Sequence, residues 1–440
     1  MRGTWQNLWD NVQSSLWFIP TVLVALALLL SSLLIEVDVV LAERQSTIIP
    51  WLFSGTADAA RTILSVVAGS LITVISIAIS LTMVALVQAS AQFTPRLLRQ
   101  FTASRTNQVV LGAYTATFIF ALLVLRTVRS ADQGNAFVPA LSVTVAVALS
   151  LLCLGLLIYF IHHMSQSLQV AVILEQVRHE FIESIDALFP ERLGQAAEEP
   201  LPASIVVQEL KRTSDPYLVR STQAGFIRRI DEQTVHDAPL GPTTWIWIRP
   251  RIGDFVTHGS VLAALDGDED EQLADHLRSA FVIDRERTTQ QDPLFAIRQL
   301  VDVALKALSP GINDMTTAEY ALYHLGDALC RLADRPFPSN IRTTANRRTR
   351  LMFSRPMWDD FVEAAFSQIR HAAQDDVHVT ATLLRVLHDL AQRLPPGPRG
   401  DAVQHQVAEV RLRIDQGSCS PTDKAMLYEL ANAVGHALRT

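Results

Sequence analysis

The stretch TILSVVAGSLITVISIAISLTMVALVQASAQFTP, residues 62–95, runs for 34 positions without a charged side chain. As one helix it would measure about 51 Å, against roughly 30 Å of bilayer hydrocarbon. It therefore crosses a membrane and still protrudes as a rod until Pro95 interrupts it. Three more charge-free windows flank it: 25 residues between Asp10 and Glu36, 20 between Arg105 and Arg126, and 42 between Asp132 and Glu175. Each holds one span, because the tail of the last window, HHMSQSLQ, is too polar for a second. The expectation is four spans, at about 17–37, 63–88, 108–128 and 138–161. The first is too long for the core of a cleaved signal, and three spans follow it.

Composition agrees. Of 440 residues, 49% are hydrophobic and 18% charged, against about 25% charged in an average soluble domain. Mean hydropathy is +0.22. The three cysteines, Cys153, Cys330 and Cys419, form neither a disulfide framework nor a zinc motif. Arginine outnumbers lysine 34 to 3, a bias that points to a GC-rich bacterial genome. The membrane part carries a formal charge of +2 and the remainder −9. An acidic soluble part speaks against nucleic acid as a partner.

Four spans place both termini on one side. Arg2, Arg96, Arg99, Arg105 and Arg178 fall on that side, and Arg44, Arg61, Arg126 and Arg129 on the other. The compact basic loop from Arg96 to Arg105 favours a cytosolic location for both termini, in a bacterial inner membrane. Before the first span, Trp5, Trp9, Val12 and Leu16 recur at helical spacing and read as an interfacial anchor.

The long span also carries a pattern. Ser65, Gly69, Thr73, Ser76, Ser80, Gln88 and Gln92 lie three, four or eight apart, a small, polar stripe on an Ile/Val/Leu cylinder. Two readings stay open. The stripe packs against another helix, with the hydroxyls bonded across the contact or to their own backbone. Alternatively it lines a water-filled path in an oligomer. No acid or base falls within a span core, which disfavours proton-coupled transporters and voltage sensors.

The rest of the chain divides by pattern. Val170, Leu174, Val177, Phe181, Ile185 and Leu188 define an amphipathic, coiled-coil-like helix over 165–189, suited to self-association. A Pro/Glu linker follows. Between 203 and 268, SIVVQEL, YLVRS, GFIRRID, TTWIWIRP and SVLAAL read as short strands of a small β-domain. Residues 271–333 are helical, with one helix at about 294–308 and another from about Thr316. Residues 334–356 read as a Pro/Arg/Asn/Thr linker, and a helical region fills 357–440, interrupted by LPPGPRG at 394–400. The expected fold is a mainly α membrane protein with a soluble α+β region.

Within the β-domain, RIGDFVTHGSVLAAL (251–265) resembles the hairpin of biotinyl- and lipoyl-type barrel-sandwich domains. Residues 213–305 hold no lysine, so no covalent cofactor is expected. The acidic run DGDEDE (266–271) fails as a calcium loop, since its sixth position is Glu271 and its twelfth Leu277. It reads instead as an acidic start to the next helix. No metal site is expected either; His371, Asp375 and His378 share a helix face but read as solvated surface. The pair His162 and His163 reads as interfacial.

The most distinctive string, DRERTTQQDPLFAIRQLVDVALKALSPGINDMTTAEYALYHL, offers Arg285, Arg287, Gln291, Asp292, Asn313 and Asp314 as polar candidates. Asp292-Pro293 and Asn313-Asp314 have the form of helix starts, with Arg285 and Arg287 as ion-pair partners. No nucleophile stands beside an oriented base, so no catalytic residue is assigned.

SLWFIP (15–20), VQASAQFTPRLLRQF (87–101), the 225–265 stretch and ALSPGINDMTTA (307–318) together resemble a bacterial membrane-protein family known only as domain of unknown function 2254. The resemblance runs nearly end to end. It departs at Met315, where the family usually has proline, and it implies architecture without an activity.

The functional expectation is a homo-oligomeric, multi-pass channel- or pore-like protein passing a small solute or ion, with a cytosolic assembly or gating region. A non-conducting scaffold or sensor is the alternative, and a membrane enzyme ranks third.

Overall fold

The computed structural model describes residues 17–43, 53–92, 105–130, 137–167, 169–189, 216–238, 245–266, 271–289, 291–338, 340–343, 350–373, 376–395 and 397–439. The N-terminal amphipathic segment, the SIVVQEL stretch and most of the acidic run lie outside these. The chain divides into two compact units, Met1–Val172 and Ile173–Thr440.

In the first unit, four helices are long and apolar enough to cross a membrane. They are α1 (Phe18–Glu43), α2 (Ala57–Gln92), α3 (Arg105–Thr127) and α4 (Ala140–Ser167). Each expected span is present; α1 runs past its charge-free window at its end, α2 at its start and α3 at both ends, while α4 stays within its window. α3 is the inner helix: half of its apolar window is buried, against 11–22% in the others. Tyr114, Phe120 and Val124 on α3 are fully buried. Gly112 lets α1 come close, since a Cβ there would lie 2.8 Å from Leu23 and 2.9 Å from the Pro20 backbone.

Polar contacts tie the ends of these helices together. Asp38, 3% exposed near the end of α1, accepts bonds from the Leu141 N–H (2.8 Å), the Ser142 N–H (2.9 Å) and the Ser142 hydroxyl (2.6 Å). It caps α4 from another helix, covering N–H groups that would otherwise be orphaned in an apolar setting. At the start of α2, Arg61 donates to the Val128 carbonyl just beyond α3 at 3.1 Å. Both contacts join ends that four alternating crossings bring to one side.

The second unit takes in α5 (Val170–Leu188) from residue 173 onward, and then two sheets. Strands β1 (Tyr217–Arg220), β2 (Gly225–Ile230), β3 (Trp245–Ile248) and β5 (Val261–Leu265) fall where turn-punctuated apolar runs predict them, and β4 (Phe255–Val256) adds a short strand outside those runs. A short helix, α6 (Glu232–His236), separates β2 from β3. Helix α7 (Glu271–Ser279) begins at the acidic start read from the sequence.

Three further strands lie outside the expected β-domain: β6 (Phe281–Asp284), β7 (Ile341–Thr343) and β8 (Arg350–Phe353). One sheet has the order β1-β5-β3-β8-β7 and the other β4-β2-β6. The reading of 334–356 as a linker is therefore corrected. Its strands complete the sheet, with Ile246 paired to Leu351 and Ile248 to Phe353 in parallel register. Ile227, Ile246, Leu265 and Leu351 fill the space between the sheets, and Leu273 and Leu277 of α7 close it.

A helical layer follows: α8 (Pro293–Ala307), α9 (Met315–Ala333), α10 (Trp358–Ala372), α11 (Val377–Arg393), α12 (Pro398–Gln416) and α13 (Pro421–Ala437). α8 packs on α9 and α10, and α11 on α9 and α13. The apolar face of α5 is also used within the chain. Leu174, Val177 and Phe181 are fully buried, and Phe189 stacks edge-on with Phe337 and Phe361. The α5 flanks are tied by Arg178 to Asp327 (2.7 Å) and by Glu180 to Thr289 (3.0 Å). A buried face of this kind has no surface left for the self-association expected from its spacing.

Candidate functional site

The α2 stripe lies on the outside of the chain. Ala60, Leu64, Val67, Ala68, Leu71, Ala78, Ala85 and Ala89 turn inward and are buried. Ser65, Gly69, Thr73, Ser76, Ser80 and Gln88 are exposed, while the Gln92 side chain lies outside the described set. A Cβ on Gly69 would meet nothing within 4 Å. Among the described residues, then, the stripe is exposed within one chain. Thr73 donates to the Gly69 carbonyl at 3.2 Å and Ser76 to the Ile72 carbonyl at 2.9 Å. These back-bonds satisfy the hydroxyl protons locally and leave oxygen lone pairs facing outward. Val66, Ile72, Ile77, Ile79, Met83 and Val84 flank the stripe as exposed apolar surface.

The motif in the second unit is built differently. Asp292, 3% exposed, is the N-cap of α8: one carboxylate oxygen accepts the Phe295 N–H at 3.1 Å. The other takes the Arg287 guanidinium, with Nε at 2.8 Å and Nη2 at 2.7 Å. Pro293 at the first helical position fits the same start. Gly253 closes over the pair from the β-hairpin. Its φ is +89°, and a Cβ would fall 2.3 Å from the Asp292 carboxylate and 2.5 Å from Arg287. Burial raises the Asp292 pKa, and Arg287 opposes that rise. With both oxygens engaged, the carboxylate serves as a cap and an ion-pair partner.

At the far end of α8, Asn313 adopts the left-handed conformation (φ 52°), and its N–H reaches the Ser309 carbonyl at 2.9 Å. Asparagine tolerates this region better than most residues, so Asn313 can take the left-handed position that leads from the α8–α9 turn into the N-cap Asp314. Asp314 then caps α9, accepting the Thr317 N–H at 3.1 Å and its hydroxyl at 2.6 Å. Asp292 and Asp314 thus stand at opposite ends of α8, about 22 Å apart along its axis. Arg285 is exposed and takes no part in the Asp292 pair; Arg287 is the partner that geometry selects.

Among the described residues no cluster of His, Cys, Asp or Glu has the arrangement of a metal site. Asp375 lies outside that set, and His371 accepts from Arg413 at 2.5 Å. His163 bonds to the Ser167 hydroxyl and stacks on Tyr159. Two polar arrangements escaped the sequence reading. One is the Asp38 cap, visible in sequence only as an acid just past the first expected span. The other joins Glu175, Arg178, His324 and Asp327. Arg178 pulls the Glu175 carboxyl below its ordinary pKa, and burial pulls His324 down.

A unit of four apolar spans followed by a soluble region of two small sheets and stacked helices defines a multi-pass membrane protein. The family described as "Predicted membrane protein (DUF2254)" matches residues 13–389, and the chain belongs to it. Uncharacterized proteins of Mycobacterium bovis and Mycobacterium tuberculosis are each 31% identical to it over 433 residues, covering 96% of this chain and 80% of theirs. No solved structure matches it.

Proposed function

We propose that the chain works as a homo-oligomer in a bacterial plasma membrane, with both termini cytosolic and the α2 stripes turned toward one another. In this reading the assembly forms a channel- or pore-like path for a small solute or ion, and the second unit assembles or gates it. One observation carries the proposal: Gly69, Thr73, Ser76 and Ser80 lie along the exposed flank of the longest apolar helix. Small residues let helix backbones approach closely, and hydroxyl oxygens hold water where a path is wet. The back-bonded Thr73 and Ser76 also support the second reading, a non-conducting scaffold whose stripes pack tightly.

The test combines oligomeric mass in detergent, conductance in a reconstituted bilayer, and cysteine labelling. Thr73, Ser76 and Ser80 are changed one at a time to cysteine, with Cys153 replaced by alanine and Cys330 and Cys419 by serine. A wet path predicts labelling by a water-soluble thiol reagent within an intact oligomer, because the thiolate forms only where water reaches it. An oligomer with no labelling and no conductance selects the scaffold. A monomer without conductance ends the pore reading. Reporters at Thr440 and Gly55 test orientation, the first expected to be active in its cytosolic form and the second in its exported form.

A further inference from the structure

Between α1 and α3 runs an open groove of about 970 Å³, at the upper end of the range of about 300–1,000 Å³ typical of ligand clefts. Along α1 it extends from Leu28 to Ala42, about 21 Å of helix. One leaflet of hydrocarbon is about 15 Å thick. The groove therefore reaches from mid-membrane to the boundary opposite the termini. Its deep part is apolar, walled by Leu28, Ile35 and Leu123, with Ser31 buried in the floor.

Its boundary end is cationic. Arg126, in the last turn of α3, and Arg129, just beyond it, both line the groove and are exposed. Among the described residues neither guanidinium meets a carboxylate. Arg129 is held in place by its backbone, which exchanges two hydrogen bonds with Phe137 (3.0 and 3.1 Å) where the chain returns toward α4. Arg61, ion-paired with Asp58 at 3.9 Å, reaches the same end of α3 through its bond to Val128 and does not line the groove. Asp38 on α1 does not line the groove, and both its oxygens accept bonds from the start of α4.

We infer that this groove binds one anionic phospholipid of the leaflet opposite the termini, with its phosphate on Arg126 and Arg129 and an acyl chain along the α1–α3 furrow. Arginine matches phosphate oxygens bidentately. Basic pockets between spans attract anionic headgroups, whereas the amine of a zwitterionic headgroup gains nothing there. Apolar depth and a cationic mouth, in that order along the membrane normal, are the two halves of a phospholipid.

The test uses the full chain in phosphatidylcholine vesicles at low salt, with spin-labelled phosphatidylglycerol compared against spin-labelled phosphatidylcholine. The expected result is a motionally restricted component that favours phosphatidylglycerol. Arg126→Gln and Arg129→Gln should each lower the preference about fivefold, and the matching lysine variants should keep most of it. Ser32→Trp, at an exposed groove position away from the arginines, should remove the restricted component and leave helix content unchanged. It serves as the independent variant if a glutamine protein does not fold. A preference unchanged by the glutamine substitutions would overturn the inference. So would a wild-type protein that restricts both lipids equally, or one that restricts neither because a second copy covers the groove.

Discussion

Along α2 the polar residues sit on the flank of the helix and stay exposed. At α8 and α9 they sit at the ends and are consumed by helix starts. Both helix sets bury an apolar face, and both carry short side chains with hydrogen-bonding groups. The position along the axis decides the difference. A helix end has orphan N–H groups that a carboxylate can satisfy, so Asp292 and Asp314 find partners inside the chain. A helix flank has none, so Thr73 and Ser76 turn back to their own carbonyls and face outward. Asp38 crosses between the two cases, since it lies on one membrane helix and serves the end of another.

The sharpest way to break this contrast is Asp292→Ala. It strands Arg287 beneath Gly253 without its counter-charge, and removing one partner of a buried pair costs about 3–5 kcal/mol. Thermal unfolding of the purified chain should show the loss. Asp38→Ala should cost about 2 kcal/mol, the upper end of the range for a lost cap, because the freed N–H groups of Leu141 and Ser142 lie in an apolar setting. A destabilisation by Asp38→Ala no larger than that of an exposed cap would show that the latch bears no special weight. Asp314→Ala supplies that exposed cap and should cost about 1 kcal/mol. Arg285→Ala, beside it in the motif but unpaired with Asp292, should stay within about 0.5 kcal/mol. A further small effect concerns pH. The Glu175 carboxyl is pulled down by Arg178, so its contribution is complete above the ordinary carboxylate range and fades as pH falls through the lowered value. Glu175 is more than half exposed, so solvent screening keeps the effect below about 1 kcal/mol. Glu175→Gln should flatten that acid limb in an unfolding series; an unaltered limb would remove Glu175 from the account.

What could be read in advance follows the same division. The four spans were legible because a run without charge has one physical meaning at that length. The caps were legible because Asp before Pro, and Asn-Asp before an apolar period, have few alternatives to a helix start. The partner of Asp292 was not, since Arg285 and Arg287 differ only in which way the folded loop turns them. Strands β7 and β8 were hidden because each is short and set among Pro, Arg, Asn and Thr; β8 pairs in parallel with β3 about a hundred residues earlier, and β7 pairs antiparallel with β8. The α5 period revealed an apolar face correctly, but a period does not say what covers it. In the stripe, spacing revealed the face, and only the folded chain revealed that it points outward.

The Asp38 latch also has a consequence for biogenesis. Its donors, Leu141 and Ser142, leave the ribosome about a hundred residues after the carboxylate they satisfy. The first helix therefore enters the bilayer boundary with its acid uncapped and holds that state through the synthesis of two more. Insertion of α4 closes the latch, so the membrane unit becomes whole only with its last helix. A chain halted after the third span would keep the apolar surface for insertion and lack the contact that completes it, a defect a membrane protease could read.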